Sequence, residues 1–217
     1  MTDGTPSGGV VYVIDDDPAV RDSLCWLIES VGLEVAAFGA AQAFLDHLMS
    51  LPAWPSAGCV VADLRLPGMS GLDLQDRMKD LGIDLPIIFI TGHGDVPLAV
   101  RAMRAGAIDF IEKPFSDELL LGRIHEALVQ HARQRQAAAD RSELERRFQR
   151  LTPREREVME LIIQGRLNKQ IAADLGLSHK TVEVHRAHVM EKMEAASLAD
   201  LVRMAMALGL IQDLEIA

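Results

Sequence analysis

With 217 residues and 49% hydrophobic side chains, the chain is long enough to bury a core in each of two small domains. No apolar run reaches the length of a membrane helix, and the polar opening MTDGTPSGG lacks the basic and apolar regions of a signal peptide, so a cytoplasmic protein without a membrane partner is expected. The net charge of −10 sits in residues 1–130, at −11, whereas residues 131–150 carry +3 and residues 151–217 carry −2; any nucleic-acid contact therefore falls to the last segment and to local charge placement within it. Cys25 and Cys59, in apolar company and without CxxC spacing, read as buried thiols of a reducing compartment.

After a disordered tail over 1–8, short apolar runs alternate with helical spacing. VVYVI (10–14), LEVAAF (33–38), CVVA (59–62), PIIFI (86–90) and AIDFI (107–111) read as strands. Helical spacing follows at 18–31 and near 40–49, 70–80, 95–105 and 116–130. Five such units predict an α/β doubly wound, flavodoxin-like domain over 9–130, with five parallel strands covered on both faces. Ligands of such sheets sit beyond the carboxyl ends of the strands, where the strand order reverses.

Those ends carry the chemistry. The first strand runs into Asp15, Asp16 and Asp17, the third into Asp63 and the fourth into Thr91, while Lys113 follows the fifth. Singly each has an ordinary reading: Asp16 or Asp17 caps the helix opening at Pro18, Thr91 is a turn residue and Lys113 a solvated charge. Together they form one rim of carboxylates, a hydroxyl and an ammonium. Clustered carboxylates repel unless a cation neutralises them, and an all-oxygen set favours Mg²⁺, which shares its shell with phosphate oxygens. Thr91 and Lys113 suit a phosphoryl group, and Asp63 beside the metal can accept one as an aspartyl phosphate.

VIDDDPAVR, VVADLRLPGMSGLDL and IIFITGHGDVPLAVRAMRAGAIDFIEKPF together resemble the receiver domain of two-component response regulators. The resemblance implies that Asp15 and Asp16 position Mg²⁺, with Asp16, Asp63 and the Arg65 carbonyl as ligands. It implies that a sensor histidine kinase phosphorylates Asp63, that Lys113 pairs with the phosphoryl oxygens and that Thr91 moves to bind them. Phe110 stands at the rotating aromatic position, where many relatives have Tyr. Arg65 and His93, two residues beyond Asp63 and Thr91, stand where the family tunes dephosphorylation, and a cis Lys113–Pro114 bond is expected by the same analogy.

Residues 131–150 lack Gly and Pro and are rich in helix formers, so they read as a helical linker, one long helix or a looser joint. Residues 151–217 read as an all-α, four-helix domain. Thr152, Pro153 and Glu155 open its first helix, Asn168 its second, Ser178 or a neighbour its third, and Ser197 its fourth. Val182, His185, Val189 and Met193 make the inward stripe of the third, with LGLS before it as the turn of a helix-turn-helix. Composition leaves DNA binding and a protein-contact bundle even. LTPREREVMELIIQGRLNKQIAADLGLSHKTVEVHRAHVMEKM resembles the LuxR-type helix-turn-helix, and the whole chain resembles the FixJ-like branch of the NarL/FixJ response regulators.

That resemblance makes 179–193 the recognition helix on double-stranded DNA. Lys180, Glu183, Val184, Arg186 and Ala187 then face the major groove, with Lys169, Lys180, Thr181 and Arg186 as phosphate contacts. The expected protein is a phosphorylation-controlled transcriptional regulator that forms a homodimer on phosphorylation, and not an enzyme. Two rivals stand beside it. A phosphohydrolase of the haloacid dehalogenase type would need a second acid two residues after Asp63, where Arg65 stands. A constitutive DNA-binding or scaffold protein would use its receiver for interaction only.

Overall fold

A computed structural model of the protein describes residues 9–52, 55–92 and 96–211; the expected disordered tail 1–8 and His93 lie outside them. Contacts divide the chain into two compact units, residues 1–135 and 136–217.

The first unit alternates strand and helix: β1 (Gly9–Ile14), α1 (Pro18–Glu29), β2 (Glu34–Phe38), α2 (Ala41–Ser50), β3 (Ala57–Asp63), α3 (Gly71–Asp80), β4 (Ile87–Thr91), α4 (Val96–Arg104) and β5 (Asp109–Glu112). The strands are all parallel in the order β2-β1-β3-β4-β5. Crossovers leave β1 in opposite directions, so the crevice opens at the carboxyl ends of β1 and β3. Period-two alternation divides the core. Tyr12, Ile14, Val60, Ala62, Ile87 and Phe89 face one layer with Phe44, Leu48 and Leu74. Val11, Val13, Cys59, Val61, Ile88 and Ile90 face the other, against Ile28, Leu120, Ile124 and Leu128. Apolar area buried on both faces at roughly 25 cal/mol per Å² drives the sheet to the centre. Burial pushes the Cys59 thiol well above its ordinary range, so it packs as an inert group.

Two strands differ from the pattern of apolar runs. β3 begins at Ala57, two residues early. β5 begins at Asp109, because Ala107 and Ile108 form the turn out of α4, where Ala107 N–H donates to Ala102 O at 3.0 Å and Gly106 takes φ +91°. Ile108 N–H still donates to Ile87 O of β4 at 2.8 Å, so the ladder is entered at the end of the turn.

A 33-residue helix, α5 (Asp117–Gln149), follows, and the segment expected as a linker is helical through Gln149. His131, on α5, is 1% exposed. Its Nδ1 accepts a hydrogen bond from Gly58 N–H on β3 at 2.9 Å, and its Nε2 lies 3.5 Å from Asp84 Oδ1. A protonated ring has two donors and no acceptor, so an imidazolium would lose the Gly58 bond. Burial accordingly lowers the His131 pKa from 6.5, with Asp84 opposing and Arg135 reinforcing the shift. The unfolded chain then binds a proton the folded one refuses, so stability falls as pH drops from about 6.5 towards the lower folded value. We expect urea midpoints of the first unit to fall between pH 7.5 and 5.5. In His131→Leu this component vanishes, while stability at pH 7.5 is lost by about 1–3 kcal/mol because Gly58 N–H is left buried and unpaired. An unchanged pH slope in the variant would refute the assignment.

The second unit holds α6 (Pro153–Ile163), α7 (Asn168–Leu175), α8 (His179–Met193) and α9 (Leu198–Ala207). Its core is Leu151, Val158, Met159, Ile162, Ile171, Val182, Val189, Met193, Leu201 and Ala205, with Phe148 of α5 packed against it. Thr152 and Glu155 form a reciprocal capping box, Ser178 and Ser197 cap α8 and α9, and Gly176 closes α7 at φ +64°.

Candidate functional sites: an acidic strand-end rim and a helix-turn-helix face

The crevice brings together Asp15, Asp63 and Lys113 from three strand ends. Lys113 Nζ donates to Asp15 Oδ2 at 3.1 Å and to Asp63 Oδ2 at 3.2 Å. The Asp15 side chain is 1% exposed and that of Asp63 15% exposed. Asp15 is further held by Asp17 N–H on its Oδ1 at 3.0 Å and by Arg21 Nη1 on its carbonyl at 2.8 Å. Burial acts to lower the Lys113 pKa, but hydrogen bonds and attraction from Asp15 and Asp63 leave it above the ordinary lysine value. The ammonium is therefore a fixed cation between two carboxylates.

Local sequence explains this placement. Asp17 caps α1, accepting from Ala19 N–H at 2.8 Å, with Pro18 at the first helical position. Ser70 and Asp73 form a capping box at α3. Gly71 lets that helix start press on the strand end: a Cβ there would stand 2.7 Å from Asp63 O and 2.8 Å from Phe89 Cε1. Arg65 N–H donates to Asp63 Oδ1 at 2.8 Å, which aims the carboxylate. Thr91 is fully buried at the end of β4, and its carbonyl accepts from Lys113 N–H at 2.7 Å. The Lys113–Pro114 bond is cis. Asp16 is exposed and lines a depression of about 740 Å³ with Arg65, Ser70 and Arg101, and Phe110 is half-buried against the first core layer.

The donors at this rim are all oxygen. Among the described residues no three His, Cys, Asp or Glu side chains close a metal cage. A hydrated Mg²⁺ needs only one or two carboxylates, and Asp15 and Asp63, which share the Lys113 ammonium, suffice for it.

In the second unit, α8 covers the expected recognition helix. Lys180, Glu183, Val184 and Ala187 are exposed on it, while Arg186 and Thr181 are half-buried. The Thr181 hydroxyl lies 2.7 Å from Ser178 Oγ at the cap. Lys169 and Arg186 line a depression of about 530 Å³ together with Arg166 and His179, two basic side chains that sequence spacing did not single out. His185 is half-buried, on the inner side of the helix as expected.

A doubly wound sheet with an acidic crevice, joined to a four-helix unit, is the architecture of DNA-binding response regulators. Residues 11–125 match the response regulator receiver domain and residues 149–205 the luxR family of bacterial regulatory proteins. The chain belongs to that family, and it is a phosphorylation-controlled, DNA-binding transcriptional regulator of the two-component class. It is 50% identical to the transcriptional regulatory protein FixJ of Bradyrhizobium diazoefficiens over 94% of this chain and 98% of that protein. It is 49% identical to nodulation protein W of the same organism, over 93% and 87%. The solved structure of the response regulator StyR matches with a TM-score of 0.85 at 45% identity, covering 92% of this chain and 99% of that one. A receiver implies a phosphodonor sensor kinase and the luxR-type region implies DNA. Among the described residues no helix is long and apolar enough to cross a membrane.

Proposed function

We propose that Asp63 is the phosphoacceptor, taking a phosphoryl group from a phosphohistidine of a sensor histidine kinase, and that the acyl phosphate promotes homodimerisation and promoter binding. The observation that carries this reading is the shared ammonium, 3.1 Å from Asp15 and 3.2 Å from Asp63. When the transfer occurs, a bond forms from a carboxylate oxygen of Asp63 to phosphorus, and the bond from phosphorus to the donor nitrogen breaks. Lys113 holds charge that develops on the phosphoryl oxygens, and Arg65 N–H keeps Asp63 aimed. Mg²⁺ held by Asp15, Asp16, Asp63 and the Arg65 carbonyl would supply electrostatic stabilisation of that charge. Thr91, at the rim but buried, turns to the phosphoryl group, and Phe110 follows it.

The exposed apolar side chains of α4, Val96, Val100 and Met103, support dimerisation through the surface that this motion reshapes. Paired DNA-binding units then gain effective concentration on a two-fold site. Lys180, Glu183, Val184, Arg186 and Ala187 meet the major groove, and Lys169, Lys180, Thr181 and Arg186 the phosphates. The cytoplasm is where kinase and promoter meet. The chemistry is stoichiometric transfer followed by binding, so the chain acts as a regulator and not as an enzyme.

Incubation with a labelled acyl phosphate and Mg²⁺ should place one label on the chain, shift it from monomer to dimer in sedimentation and produce a footprint. Asp63→Asn should take no label and undergo no shift. Equal dimerisation of the two proteins on adding the donor would overturn the proposal.

A further inference from the structure

At the opposite end of the sheet from the acidic rim lies a cavity of about 200 Å³ between α3, the α4–β5 turn and α5. Met78, Ile83, Leu85 and Ile108 form apolar walls, and Lys79 and Asp84 stand at its exposed mouth. Gln75 of α3, only 4% exposed, lines it from within. The Gln75 Nε2 donates to Ala102 O on α4 at 3.3 Å, while its Oε1 is buried and meets no donor among the described residues. The amide cannot be turned the other way, since that would set its oxygen against the Ala102 carbonyl oxygen.

A buried carbonyl without a donor is costly, and natural interiors satisfy such groups with protein, water or ligand. One water could reach Gln75, but the space exceeds the roughly 30 Å³ that a water occupies in the liquid, and its polar side chains other than Gln75, those of Lys79, Asp84, Gln130 and Gln134, belong to exposed residues, whereas Met78, Ile83, Leu85 and Ile108 line it with apolar surface. The chemistry that fits is a short apolar body ending in one neutral hydrogen-bond donor. An ammonium held beside Gln75 would face the desolvation cost of a charge, since the carboxylate of the lining, Asp84, stands at the exposed mouth next to Lys79.

We propose that this cavity is a binding site for a small neutral aliphatic alcohol or carboxamide, whose donor satisfies Gln75 Oε1, and that its occupancy is coupled to α4. The coupling follows from position. Gln75 Nε2 and Ala107 N–H both bond Ala102 O, and Ala105 and Gly106 of the same turn line the cavity. An occupant braces Gln75 and the end of α4 together, biasing the helix whose outer face carries Val96, Val100 and Met103. This second half rests on the reading of Asp63 as phosphoacceptor; the binding itself does not.

The test is titration of the isotopically labelled full chain with isobutyramide and, separately, isobutanol, followed by NMR. Saturable shifts are expected at the Gly106 and Ile108 amides and at the Gln75 side-chain amide. Gln75→Met, close in volume but without the acceptor, should bind about tenfold more weakly or worse. If that variant does not give a folded spectrum, Ala105→Leu, which intrudes on the same space, serves in its place. With probe bound, the beryllofluoride concentration for half-maximal dimerisation should change by about threefold or more in the wild type, since coupling is reciprocal. Asp63→Asn should still bind the probe while ignoring beryllofluoride, which separates the two readings. Linear, non-saturating shifts, or equal binding by Gln75→Met, would overturn the site and leave ordered water only. Saturable binding without a change in the beryllofluoride response would overturn the coupling.

Discussion

Lys113→Met is expected to destabilise the receiver unit markedly in the absence of divalent cations and to recover much of that loss in Mg²⁺. The substitution keeps the length of the side chain and removes the ammonium that bonds both Asp15 and Asp63. Asp15 is almost wholly buried, so its carboxylate would face Asp63 with the Asp17 N–H as its support. Breaking a fully buried pair by removing one partner costs about 3–5 kcal/mol; Lys113 is a quarter exposed, which brings the expectation to about 2–4 kcal/mol. For a unit of this size that is roughly 10 °C in the melting temperature. A divalent ion among the same carboxylates does electrostatically what the ammonium did. Mg²⁺ should therefore raise the melting temperature of the variant more than that of the wild type, because ligand stabilisation grows with affinity for the folded state. Thermal scans with EDTA and with Mg²⁺ decide the matter. Equal stabilisation of both proteins by Mg²⁺ would show that Lys113 lies outside the field of the metal. In Mg²⁺, the restored variant should still fail to dimerise with a phosphoryl analogue, as the proposed pairing of Lys113 with the phosphoryl oxygens requires.

This rim was legible because each of its members interrupts a pattern. Asp15, Asp63 and Lys113 are polar residues at the ends of apolar runs, and a parallel sheet turns such positions into neighbours. The caps were legible for the same local reason: Asp17, Thr152, Ser178 and Ser197 all precede helical spacing. What escaped were pairings between distant segments. His131 reads as the first polar residue of a linker, yet it is locked to Gly58, 73 residues away. Gln75 reads as one polar residue on a helix, and only packing shows it under Ala102. The strand over 109–112 was displaced because hydrophobicity reports burial, whereas the Ala107 bond to Ala102 O decides where the turn ends. The continuity of α5 through 131–149 follows from the absence of Gly and Pro, a negative signal that left a looser joint equally open.

Glu155 belongs with these distant pairings, and it yields the other large effect. Its side chain opens α6 by accepting from Thr152 N–H at 2.8 Å, the part that the capping-box spacing announces. It is also gripped by Lys192 Nζ of α8, at 2.9 Å on Oε1 and 2.7 Å on Oε2, with His188 Nδ1 3.6 Å from Oε1. Burial acts to raise the Glu155 pKa, but the bonds from Lys192 and Thr152 hold it below the usual carboxylate value. Lys192→Met would leave a carboxylate that is 4% exposed without its ammonium. We expect the DNA-binding unit to lose about 2–4 kcal/mol in urea unfolding. DNA affinity should fall with it, because α8 is the helix that Glu155 anchors. The double variant Glu155→Gln/Lys192→Met should recover most of the stability. Glutamine still accepts from Thr152 N–H, and no buried charge then remains to be compensated. Recovery of stability without recovery of DNA affinity would mean that the ion pair sets the orientation of α8 beyond its contribution to folding. A double variant no more stable than Lys192→Met would mean that the lysine stabilises through its packed methylenes, and the electrostatic account of this anchor would be wrong.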